Sequence, residues 1–135
     1  KPIPVYGDGM QIRDWIYVED HCLGILAILE RGEPGEVYNL GGNFELPNLE
    51  LVKIVLQQLG KSEDLISFVK DRPGHDRRYA MDCSKALKQL GWQPIYDFNS
   101  AISKTIEWNV SHKAWLESVT SGEYMEYYQR QYIDR

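Results

Sequence analysis

Two arginines from distant stretches of the chain, Arg13 and Arg72, are the side chains best suited to hold an anion. A guanidinium group presents paired donors in a plane that matches the oxygens of a phosphate. Residue type alone allows a plainer role, in which either arginine makes a surface ion pair of little energetic weight, Arg13 for instance with Asp14 or Asp20. Arg77 and Arg78 read as structural partners of nearby acids. His75 follows Pro73-Gly74 on a polar loop, where it could donate to a ligand or simply face solvent. Tyr6 ends an extended segment before Gly7-Asp8-Gly9, a place where side chains commonly face a cleft, although a half-buried structural tyrosine fits equally well. Asn48 suits a helix N-cap worth about 1 kcal/mol, and a helix N-terminus also favours anions.

The absent groups are as informative. No strand-to-helix glycine fingerprint for a dinucleotide pyrophosphate occurs, since Gly7-x-Gly9 lacks the third glycine and precedes a strand-like segment. No tyrosine is followed four residues later by a lysine. Glu19, Asp20, Asp71 and Asp76 have no metal-loop spacing, so we expect no metal site. Cys22 has no evident basic partner and reads as core rather than nucleophile. We therefore expect a binding surface with no catalytic residues of its own.

The elements that must position these groups alternate in type. Lys1–Tyr6, Ile12–Val18, Val37–Leu40 and Leu65–Val69 read as strands. Helices are expected from Asp20, as N-cap, to about Glu30, from Asn48 to Leu59, over Asp82–Leu90 and over Asn99–Val110, with the tail from Trp115 helical in pieces. This alternation indicates an α/β or α+β domain, and we expect a single domain over residues 1–135. A net charge of −5 argues against nucleic acid as partner, because no basic excess exists to neutralise a phosphate backbone. The apolar run Leu23–Leu29 is far too short to span a bilayer. Two separated cysteines are too few for a disulfide framework, which favours a reducing, cytoplasmic setting. The opening at Lys1 rather than Met leads us to expect a piece of a longer protein.

Pro4-Val5-Tyr6-Gly7-Asp8-Gly9, followed by Gln11-Ile12-Arg13-Asp14-Trp15-Ile16-Tyr17-Val18-Glu19-Asp20-His21, resembles the second half of the extended short-chain dehydrogenase/reductase family. Val37-Tyr38-Asn39-Leu40-Gly41-Gly42 and Leu90-Gly91-Trp92 fit the same family. Within it, Asp71-Arg72-Pro73-Gly74-His75-Asp76-Arg77-Arg78-Tyr79-Ala80-Met81-Asp82 resembles the dTDP-glucose 4,6-dehydratase branch. Phe44 and Trp108-Asn109 depart from that pattern without touching a diphosphate contact.

This resemblance implies an α/β substrate-binding lobe at the C-terminal side of a parent enzyme, with strands orphaned from a missing Rossmann-type domain. The parent would be a lyase that converts dTDP-glucose to dTDP-4-keto-6-deoxyglucose with tightly held NAD, supplying rhamnose and other deoxysugars. Its catalytic groups and its NAD site would lie outside this chain. The resemblance makes Pro4, Val5, Tyr6, Arg13, Asn48, Asp71, Arg72, Pro73, Gly74, His75 and Tyr132 the substrate-binding set. It also places Asp20 as a cap and His21 in packing. The parent is expected to be a homodimer, and the isolated chain, with Val37–Leu40 as an unpaired strand, is expected to self-associate or be only marginally stable, and to bind no NAD. Two other readings stand beside it: a relative acting on UDP-glucose, and a nucleotide-sugar binding module with no catalytic parent.

Overall fold

The computed structural model describes residues 1–120, 122 and 126. They fall into two compact units that divide between Ile102 and Ser103. Ten short elements follow one another along the described chain: β1 (Ile3–Tyr6), β2 (Ile12–Asp14), α1 (Val18–Arg31), β3 (Glu45–Pro47), α2 (Asn48–Gln58), a 3-10 turn (Glu63–Leu65), β4 (Ile66–Val69), α3 (Ser84–Leu90), α4 (Phe98–Ser111) and α5 (Lys113–Thr120).

The strands make two separate pairs. β1 runs parallel to β4 in the register Ile3↔Ile66 through Tyr6↔Val69. β2 runs antiparallel to β3, with Arg13 opposite Leu46. Pro4 has no N–H to give, and β1 tolerates it because the strand has a partner on one side only. A single parallel bridge, Ile12↔Arg78, ties β2 to the segment after β4.

The core of the first unit forms where α1 meets α3. Ala27, Cys83, Ala86, Leu90 and Trp92 are buried together, with Ile16, Ile28, Tyr38 and Leu40 packed around them. Small residues at 27 and 86 let the two helices approach, and the indole of Trp92 fills the gap while donating its N–H to the Asp20 carbonyl at 3.1 Å.

Several local expectations need correction. Asp20 does not cap α1; the helix begins one turn earlier after Tyr17, without a side-chain cap. Its carboxylate is 1% exposed and instead accepts the backbone N–H groups of Ile95 (2.9 Å) and Tyr96 (3.2 Å). A buried acceptor for two orphan amides outweighs a capping bond that solvent could replace. His21 and Cys22 face solvent on α1 rather than packing in the core. Asn48 is the first residue of α2, and Pro47 holds the cap position with no side-chain bond. Val37–Leu40 pairs with no strand, and Val37 is 76% exposed. A short apolar segment becomes a strand only when a neighbour takes its backbone groups. No helix among the described residues is long and apolar enough to cross a membrane.

Candidate functional site

Parallel pairing of β1 with β4 determines the geometry. The two strands end side by side at Tyr6 and Val69, and the Gly7 N–H donates to the Val69 carbonyl at 3.0 Å, one step beyond the strands. The two loops that follow, 7–11 and 70–79, therefore leave the sheet together. In open α/β sheets this is where ligands bind, because backbone ends and loop side chains converge there.

The second strand pair brings Arg13 into the same place. Ile12 of β2 donates to the Arg77 carbonyl (2.8 Å) and accepts from the Tyr79 N–H (3.0 Å). Arg13 donates from Nη1 to the Ile12 carbonyl (2.7 Å) and from Nη2 to the Asp76 carbonyl (3.0 Å). Its guanidinium carbon lies 4.6 Å from the centre of the Tyr79 ring. Two carbonyls and an aromatic face fix the plane of the group, and neither Asp14 nor Asp20 pairs with it. Asp14 is engaged elsewhere, accepting the Gly42 and Phe44 N–H groups.

Tyr79 is in turn held to its own loop. Its hydroxyl donates to Asp76 Oδ2, and this bond and burial push the phenol upward. The nearby positive charges of Arg13 and Arg72 act on it in the opposite sense. The Arg72 backbone N–H donates to Asp71 Oδ1 at 2.9 Å, which anchors the start of the loop.

At the other end of the loop, His75 Nδ1 lies 2.7 Å from Asp71 Oδ1, and its side chain is only 4% exposed. The solvent-facing alternative for this histidine is excluded. The hydrogen bond from His75 is the main influence holding the Asp71 carboxyl below its ordinary range. An ionised carboxylate only accepts, so the Nδ1 proton belongs to His75 and Nε2 is left for other partners. The Tyr6 ring meets His75 edge-on, with centroids 6.4 Å apart, and Tyr6 remains 49% exposed.

The remaining expected residues fall as follows. Pro4 is exposed, whereas Val5 is 4% exposed, so Val5 can reach a ligand only through its backbone. Pro73 and Gly74 are exposed at the loop tip. Asn48 is half-buried, and its N–H donates to the Gln11 carbonyl at 3.0 Å. Tyr132 lies outside the described residues. Arg77 and Arg78 do pair with acids: Arg77 Nη1 donates to Asp8 Oδ1 at 2.9 Å, and Arg78 Nη2 to Glu45 Oε1 at 2.7 Å. Each pair straps the 70–79 loop to a neighbouring segment. Each also lowers the carboxyl pKa of its partner, behind a backbone bond from Met10 in the case of Asp8.

Reading by residue type missed two members, Tyr79 and Gln11. Both sit inside the quoted motifs, but only the fold shows that Tyr79 lies under Arg13 and that Gln11 reaches Asp71.

The family model described as GDP-mannose 4,6 dehydratase matches residues 1–105. The chain belongs to this family. A dTDP-glucose 4,6-dehydratase of Neisseria meningitidis is 47% identical, over 92% of this chain and 38% of that protein. The dTDP-glucose 4,6-dehydratase of Salmonella typhimurium is 42% identical, over 100% of this chain and 39% of that protein. The chain thus spans less than two-fifths of the length of these relatives. In structure it is similar to DesIV, the dTDP-glucose 4,6-dehydratase of Streptomyces venezuelae solved with NAD and TYD bound, with a TM-score of 0.81 at 39% identity over 84% of this chain and 35% of that one. A UDP-glucuronic acid 4-epimerase of Bacillus cereus, solved with UDP-glucuronic acid and NAD, gives a TM-score of 0.73 at 31% identity over 80% of this chain and 35% of that one.

Proposed function

We propose that this chain is the C-terminal, nucleotide-sugar-binding lobe of a dTDP-glucose 4,6-dehydratase. The observation that carries the proposal is that Tyr6, Arg13 and His75 meet the loop that bears Arg72 at the shared end of two parallel strands. Arg13 and Arg72 grip the two phosphates of dTDP, Arg13 as a plane already held by carbonyls and a ring. Tyr6 offers its exposed face to the base, an arrangement worth about 1–3 kcal/mol in single-strand nucleic-acid binders. His75 presents Nε2 to ribose or phosphate, and Asn48, Asp71, Pro73, Gly74, Tyr132 and the backbone of Pro4 and Val5 complete the surface.

In this reading the parent converts dTDP-glucose to dTDP-4-keto-6-deoxyglucose, as a cytoplasmic, dimeric lyase feeding rhamnose and other deoxysugars. NAD supplies the hydride chemistry in the parent, and it does not fit the residues here. Gly7 and Gly9 lie in a turn between two strands, so no helix N-terminus follows them to receive a pyrophosphate. The part played by this chain is to bind and orient the sugar nucleotide.

Calorimetric titration of the 135-residue chain with dTDP, UDP and NAD tests the proposal. We expect weak binding of dTDP and none of NAD. Preference for UDP favours the UDP-glucose relative, and indifference to both pyrimidine nucleotides refutes the nucleotide-sugar reading. In the full-length parent, Arg13→Ala or Arg72→Ala should each weaken substrate binding by about 1.5–3 kcal/mol with NAD retained, the usual cost of a charge-assisted hydrogen bond.

A further inference from the structure

Gln11 is 2% exposed, between the turn that follows β1 and the start of β2. Its backbone is clamped by the first turn of α2, since the Asn48 N–H donates to the Gln11 carbonyl and the Leu49 N–H donates to the Gly9 carbonyl at 2.9 Å. From this fixed base its Nε2 donates to Asp71 Oδ2 at 3.2 Å. The other oxygen of Asp71 accepts from His75 Nδ1 and from the Arg72 backbone N–H. The carboxylate therefore has a partner on each oxygen, and Gly7 packs against its outer side with no room for a β-carbon.

The amide orientation is forced. Turning Gln11 over would set its carbonyl oxygen against a carboxylate oxygen, two acceptors facing each other. The forced orientation leaves Oε1 buried and without a protein partner among the described residues. Packing alone does not account for an amide here, because an apolar side chain of similar size would fill the space without burying an unpaired acceptor. The amide makes sense through what Nε2 holds.

We propose that Gln11 is a positioning residue: its buried amide holds the Asp71 carboxylate, which in turn fixes the ring orientation and the Nδ1–H tautomer of His75. Gln11 is too deeply buried to touch a ligand and acts only through Asp71. The ligand consequence rests on the nucleotide-sugar reading; the chain of contacts does not. With Nδ1–H committed to Asp71, Nε2 is the nitrogen left for a further partner, on a ring that Tyr6 meets edge-on. It can accept from a hydroxyl when the ring is neutral and donate to a phosphate when the ring is charged.

The test is made on the full 135-residue chain by long-range 1H–15N correlation at a pH where the imidazoles are neutral. The sequence holds three histidines, so the His75 signals are identified by their loss in His75→Gln. Wild type should show His75 as the Nδ1–H tautomer. Gln11→Glu sets a second acceptor against Asp71 and should move His75 towards the Nε2–H form, with Gln11→Met moving it part of the way. His75 remaining fully Nδ1–H in both variants overturns the proposal. Should either variant unfold, wild type still decides: Gln11 side-chain amide protons that exchange with solvent as fast as those of an exposed glutamine overturn it. Binding supplies a separate arm, in which dTDP affinity should fall about three- to tenfold in Gln11→Met, the scale of one net hydrogen bond. Failure of wild type to bind dTDP refutes the nucleotide-sugar reading and leaves the tautomer result to judge Gln11.

Discussion

Replacing Gly7 by alanine separates the cost of backbone strain from the integrity of the site. Gly7 has φ +59°, and a β-carbon there would lie 2.7 Å from Asp71 Oδ2 and 2.9 Å from its Cγ. Gly60, just past α2, has φ +62° and open space around the same position. A left-handed backbone costs a non-glycine residue about 1–2 kcal/mol, so both substitutions should destabilise the chain by a similar amount. For a domain of this size that corresponds to about 3–8 °C in Tm. They should differ at the site. A carbon–oxygen contact needs somewhat more than 3 Å, so in Gly7→Ala the carboxylate must retreat by about half an ångström. Oδ2 is also the oxygen that accepts from Gln11, so such a shift disturbs that 3.2 Å bond and with it the support of the Asp71–His75 contact. We therefore expect Gly7→Ala, but not Gly60→Ala, to weaken dTDP binding about three- to tenfold and to disturb the His75 imidazole resonances. Thermal unfolding and dTDP calorimetry on both variants provide the measurement. Equal loss of affinity in the two, or unchanged affinity in Gly7→Ala, refutes the claim that Asp71 is held by contact with Gly7.

Three other outcomes follow from the same structure. Asp20→Ala removes the acceptor of two backbone N–H groups and should destabilise the chain by about 2–3 kcal/mol, read as a lower urea midpoint with unchanged slope. Tyr79→Phe keeps the ring under Arg13 and should bind dTDP nearly as wild type does, whereas Tyr79→Leu removes the ring and should lose about two- to fivefold; equal loss in both assigns the effect to the Asp76 bond instead. Asp8, Glu36, Glu45, Asp71, Asp82 and Asp97 are all held below their ordinary carboxyl range by hydrogen bonds or cationic partners. A carboxyl that ionises more readily folded than unfolded stabilises the fold above its unfolded pKa, and that contribution fades as pH falls through the folded value. The urea midpoint should thus be flat from pH 5 to pH 7 on this account and fall below about pH 4, and a midpoint that rises on acidification contradicts the network.

Helix positions were the most legible feature of the sequence. The spacing of Val52, Val55, Leu56 and Leu59 predicts the α2 helix, and glycines at 60 and 91 mark where α2 and α3 stop. Local chemistry settles such boundaries, because capping and turn residues act within a few positions of themselves. Val37–Leu40 and Asp20 failed for the converse reason. A strand needs a partner from elsewhere, and whether an aspartate caps its own helix or serves distant amides depends on what packs against it.

The site divides along the same line. Residue types in segments such as Pro4 to His21 and Asp71 to Asp82 carried the resemblance to nucleotide-sugar enzymes and named the groups able to hold a diphosphate. What the segments alone could not convey is adjacency. The β1–β4 pairing places the two loops at one sheet end, and the bridge from Ile12 to the 77–79 backbone brings Arg13 onto Tyr79. Hydrogen bonds between residues about sixty positions apart, such as Gln11 to Asp71, form only after the chain has paid the entropy of closing the loop between them. Side-chain chemistry is written residue by residue, whereas the partner of a buried amide or a guanidinium plane is chosen by packing.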